Sequence, residues 1–67
     1  MFNETIREIG ILEALEIMYS ESPYGKYIYP RLEQYGWNGL DNSEGKCVVE
    51  NFDTKEEAIA WLKDHGK

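Results

Sequence analysis

A chain of 67 residues makes one domain with one small core and leaves no room for a second. Its 42% hydrophobic and 13% aromatic content excludes a disordered segment and argues for a folded protein. The formal charge of −6 disfavours nucleic acid and anionic membranes, which reward Lys and Arg, and permits a basic protein surface as partner.

Cys47 is the single cysteine, so no intrachain disulfide can form, and one His with one Cys cannot complete a structural zinc site. No metal and no cofactor is expected. Stability then has to come from packing or from self-association. A basic start followed by a long apolar run is missing, as is any segment near the ~20 apolar residues that span a bilayer. A cytoplasmic protein is expected.

In chain order, Asn3 is a suitable N-cap, with Glu4 at the positive end of the dipole of the helix that follows. Periodicity predicts that helix from Ile6 to about Tyr19. Ile11, Leu12, Leu15, Met18 and Tyr19 share one face, and Glu13 and Glu16 lie opposite. Ile6, Ile9 and Ile17 fall off that stripe, so apolar groups nearly encircle the helix. It must be covered on more than one side, by a wide core or by a partner. Gly10 inside it costs about 1 kcal/mol relative to Ala and marks close packing or a bend. Residues 1–22 hold five glutamates against Arg7 alone, −4 of the total charge.

Ser20 to Pro23 ends the helix, because the residue before a proline is pushed out of the α region. Lys26 to Tyr29 has strand composition, with Tyr27 and Tyr29 pointing the same way, but Pro30 would confine such a strand to a sheet edge. Alternatively Pro30 opens a short helix to Tyr35, closed by Gly36. An irregular or short helical connection is the preferred reading of this stretch. Tyr24, Tyr27, Tyr29 and Tyr35, with Arg31 among them, are residue types that protein-binding hot spots use. A base-stacking surface would need a basic groove, and Lys26 and Arg31 are too few for one. Residues 11–33, notably Tyr24-Gly25 and Leu32-Glu33, are similar to the start of PadR-like winged-helix regulators. Pro30 interrupts what would be the second helix of that family and no recognition helix follows, so the resemblance is not adopted.

Trp37 to Asp41 and Lys46 to Phe52 read as the arms of a β-hairpin around Asn42-Ser43-Glu44-Gly45. Cys47, Val49 and Asn51 face one way, and Val48, Glu50 and Phe52 the other. Gly39 suggests a bulge or a close backbone approach. Thr54 and Glu57 form a capping box for a second helix, in which Ala58, Ile59, Trp61, Leu62 and His65 share a face and Gly66 stands at the stop position. The expected fold is α+β: a single domain over residues 1–67, ordered helix, irregular or short helix, β-hairpin, helix (αββα), with both helices on one face of the hairpin.

No catalytic constellation stands out. Cys47 with His65 is the one candidate nucleophile and base, and Glu56 and Glu57 face different directions. The expected function is that of a small acidic, non-catalytic protein that binds another protein. In its sharpest form this is a phage-type inhibitor (anti-CRISPR or anti-nuclease) whose Glu-rich helix face mimics a run of phosphates. The candidate binding residues are Glu13, Glu16, Tyr24, Tyr27, Tyr29, Arg31 and Tyr35. The alternative is a homodimeric structural or regulatory protein joined through its apolar N-terminal helix.

Overall fold

The structure is a computed structural model that describes residues 5–32 and 35–64. Six elements follow one another: β1 (Ile6–Glu8), α1 (Ile11–Ser20), β2 (Lys26–Pro30), β3 (Trp37–Asp41), β4 (Val48–Phe52) and α2 (Lys55–Asp64). The strands form one mixed sheet in the order β1-β2-β3-β4. β1 runs parallel to β2, whereas β2–β3 and β3–β4 are antiparallel. The expected αββα arrangement is therefore corrected: two further strands join the hairpin, and the chain opens with a β–α–β unit.

The first correction concerns Ile6 to Ile9, which were expected to be helical. Gly10 caps α1 from extended backbone and offers no side chain to do it, so helix growth stops there. The preceding residues pair instead with β2, Ile6 opposite Lys26 and Glu8 opposite Ile28, and the Ile9 N–H donates to the Ile28 carbonyl at 2.9 Å. That pairing satisfies the backbone of a strand buried from Lys26 to Tyr29 that would otherwise keep an open edge. The cap expected at Asn3 lies outside the described residues, as do His65 and the stop expected at Gly66.

The second correction is Lys26–Pro30, expected as a connection or an edge and found as an inner strand. Arg31 donates to the Gly36 carbonyl at 3.1 Å, so the alternation of an antiparallel ladder points the nitrogen of Pro30 away from β3 and towards the β1 side. β1 has already ended there, level with Ile28. No ladder bond is lost, and the proline is tolerated.

The third correction is the placement of the helices. Alternation along β2 sends Tyr27 and Tyr29 to one face and Ile28 to the other. Ala14 and Ile17 of α1 pack on the tyrosine face with Ile9 and Leu40. Ala58 and Leu62 of α2 pack on the Ile28 face with Trp37, Phe52 and Trp61. The helices thus lie on opposite faces of the sheet. The first hairpin arm agrees with expectation, the second starts at Val48 rather than Lys46, and Gly39 is a close approach: a Cβ there would lie 2.9 Å from Cε3 of Trp61. The capping box is formed in both directions, Thr54 N to Glu57 Oε1 and Glu57 N to Thr54 Oγ1, each at 3.2 Å.

Candidate protein-binding surface

α1 presents two kinds of apolar surface. Ala14 and Ile17 are buried against the sheet, and the small Ala14 lets the helix axis come close to it. Nearly half a turn round the helix, Leu12, Leu15 and Tyr19 are 78%, 53% and 93% exposed. At i, i+3 and i+7 they form one continuous stripe along the outer side of the helix. Ile11 and Met18 border it on the core side and are partly buried. Glu16 and then Glu13 border it on the other side, both exposed. Glu13 Oε2 stands 3.8 Å from Nη2 of Arg7, a loose surface pair. The stripe is thus an apolar row with one acidic flank.

The helix ends cleanly beneath this surface. Glu21 takes the left-handed conformation at φ 58°, and its N–H donates to the Ile17 carbonyl at 2.7 Å. The Ser20 hydroxyl donates to the Glu16 carbonyl at 2.9 Å. Tyr19 is therefore held on a completed last turn rather than on a frayed end.

The residues expected to bind are dispersed. Glu13 and Glu16 lie on α1 beside the stripe. Tyr27 and Tyr29 are 2% and 7% exposed and belong to the core beneath α1, so neither can anchor a partner in the folded chain. The Tyr27 hydroxyl donates to the Pro23 carbonyl at 2.9 Å. Burial pushes the Tyr27 phenol up, against the pull of Arg7 and helped by Glu13 and Cys47. Burial likewise raises Tyr29, against its hydrogen bond to Asn38. Tyr24 is exposed before the start of β2, while Arg31 and the exposed Tyr35 lie beyond its end, so β2 separates them. Sequence reasoning put Leu12, Leu15 and Tyr19 on one face of the helix and left open whether the core or a partner covers it. The signal that would have decided it was Ala14 and Ile17, a small and a β-branched residue on the side facing away.

A shallow cleft of about 380 Å³ opens between Arg7, Pro23, Tyr24, Tyr27 and Ser43. Its polar groups are largely spent within the fold: the Tyr27 hydroxyl on Pro23, and Ser43 Oγ on Asp41 Oδ1 at 2.7 Å. Cys47 is half-buried and donates its thiol to the Ile17 carbonyl at 3.7 Å. Burial, and secondarily Glu21, raises its pKa, which disfavours the thiolate. No helix among the described residues is long and apolar enough to cross a membrane. Compared with known protein families, characterised proteins and solved structures, the chain matches none.

Proposed function

We propose that this is a non-catalytic protein that binds another protein through the outer face of α1. The observation that carries this reading is the Leu12–Leu15–Tyr19 stripe, left open by a helix whose other apolar side is already packed. A row of this kind seats in an apolar groove of a partner, with i, i+3 and i+7 anchors. Glu13 and Glu16 ask for a basic rim on one side of that groove. Phosphate mimicry alone would use the glutamates and leave the stripe in water; the apolar row makes burial the larger contribution and the charges a guide for approach. The same flank argues against pairing α1 with α1 of a second copy, since chains of charge −6 would bring their glutamates together. The raised pKa of Cys47 supports a packing role for that thiol rather than a nucleophilic one.

Affinity capture from source lysate, with the wild-type chain and with Leu15→Asp as baits, tests the reading. A protein retained by the wild type and lost by the variant is expected. Glu13→Lys with Glu16→Lys should slow its association and flatten the salt dependence. A partner retained equally by the wild type and by Leu15→Asp, with both baits folded by circular dichroism, would refute it.

A further inference from the structure

The cleft beside Arg7 lies at the end of the sheet where β1 and β2 begin. Parallel pairing sets Arg7 next to Tyr27 on the α1 face, and the guanidinium carbon stands 5.9 Å over the centre of the Tyr27 ring. The walls are fixed from behind. The Pro23 carbonyl accepts from the Tyr27 hydroxyl at 2.9 Å and from Asn42 Nδ2 at 3.0 Å. Tyr24 is 69% exposed, yet its hydroxyl lies 2.8 Å from where a Cβ on Gly45 would stand, so the side chain rests on that turn. Thr5 and Ser43 complete the rim. The lining is mainly apolar, and about 380 Å³ is the size of a small-ligand site.

Among the described residues, Arg7 carries the one charge that the cleft can offer a ligand. Lys26 also borders it, but its ammonium turns to the other face of the sheet and donates to the Leu62 carbonyl. The hydroxyl protons of Tyr27 and Ser43 are committed within the fold. Those of Arg7 are not. Among the described residues its guanidinium makes no hydrogen bond, only the loose approach to Glu13 at 3.8 Å. Its five N–H donors form a planar fork that matches a carboxylate.

We propose that this cleft binds a carboxylate joined to a flat apolar group, the charge on Arg7 and the body against Tyr24 and Pro23. The apolar lining calls for the body, and the open guanidinium calls for the anion. A dianion such as phosphate asks for more than one cation, and a chain of charge −6 supplies a single one here. Glu13 competes for Arg7, but an exposed pair at that distance holds it weakly. The same group is presented by a free aromatic acid and by the C-terminus of a peptide ending in an aromatic residue.

Amide NMR of the isotope-labelled full chain, titrated at constant ionic strength, reads the result. Phenylacetate stands for the free acid and N-acetylphenylalanine for the peptide end. At least one is expected to shift the Gly25 and Ser43 amides saturably in the millimolar range, and the tighter one identifies the source. Phenylacetamide, the same body without the charge, should bind about tenfold more weakly than phenylacetate, and Arg7→Gln should weaken carboxylate binding by a similar factor. Tyr24→Ala should cost about fivefold through the lost ring contact. Glu13→Gln should tighten binding, because the competitor is gone. No saturable shift from either carboxylate overturns the proposal. So does phenylacetamide binding as tightly as phenylacetate, which needs no variant to fold. Unimpaired binding by a folded Arg7→Gln chain, weaker binding by Glu13→Gln, or inorganic phosphate shifting the same amides as strongly would overturn it too. The α1 binding reading stands or falls separately, since its capture experiment does not involve the cleft.

Discussion

Gly39 leaves β3 no room for a side chain. The Trp61 ring lies where a Cβ would go, and Trp61 is in turn held against Phe52 with ring centroids 5.6 Å apart. Gly39→Ala should therefore cost about 1–3 kcal/mol through overpacking, read by urea unfolding, and Trp61→Leu in the same chain should recover part of it. On the other face, Tyr27→Phe removes only the bond to the Pro23 carbonyl, for about 1 kcal/mol. Tyr27→Ala empties a buried ring site and should cost about 3–5 kcal/mol, enough to unfold much of so small a domain. A Tyr27→Ala chain with unchanged melting would contradict the burial of that ring. At this scale the sequence was legible where a residue type has few uses. Glycine against a tryptophan is such a case. Tyrosine is not, because a ring with a hydroxyl suits a core that offers a carbonyl as well as it suits an interface.

The two helices differ in how openly they declare themselves. α2 carries its own start signal, and Thr54→Ala should cost about 1 kcal/mol of stability through the lost cap. α1 carries no side-chain cap, and its orientation can be tested directly. Ile17→Ala should cost about 2–5 kcal/mol, whereas Leu12→Gln and Leu15→Gln should change denaturant midpoints little, since exposed substitutions usually stay within about 0.5 kcal/mol. The reverse ranking would put the stripe in the core. The cover of the stripe stayed open in the sequence because apolar residues nearly encircle α1, and periodicity cannot say which of two apolar arcs meets the sheet. The hairpin and α2 were legible from local chemistry: turn residues, alternation and a capping box. β1 and β2 were not, because parallel pairing across an intervening helix leaves no local mark. Pro30 then pointed away from a strand that only tertiary context permits. The binding residues divided on the same line, Glu13 and Glu16 being readable as exposed and the burial of Tyr27 and Tyr29 not being readable.

For the molecule as a whole, three groups on or beside the α1 side of the sheet share one direction of shift. Tyr27, Tyr29 and Cys47 all have raised pKa values, chiefly through burial. Their neutral forms are favoured in the fold, so each contribution is fully present below the unfolded pKa. It is lost as pH rises through the folded one. Melting temperature should thus hold steady through neutral pH and fall above about pH 9, where unfolded thiols and phenols ionise. Tyr29→Phe should shallow that alkaline fall, and an equally steep decline in the variant would contradict the assignment.

Pro30 has a further effect on the order in which the molecule opens. β1 ends level with Ile28, and the Pro30 ring offers no donor with which a longer strand could extend the β1–β2 ladder beyond its three residue pairs. α1 packs chiefly on β2, while α2 packs across β2, β3 and β4. The N-terminal strand and helix are thus a lightly fastened unit on a better fastened body. In native-state hydrogen exchange, the amides of β1 and α1 should lose protection together, at a lower free energy than those of β3 and α2. The sheet's tyrosine face would then meet solvent before the chain as a whole unfolds.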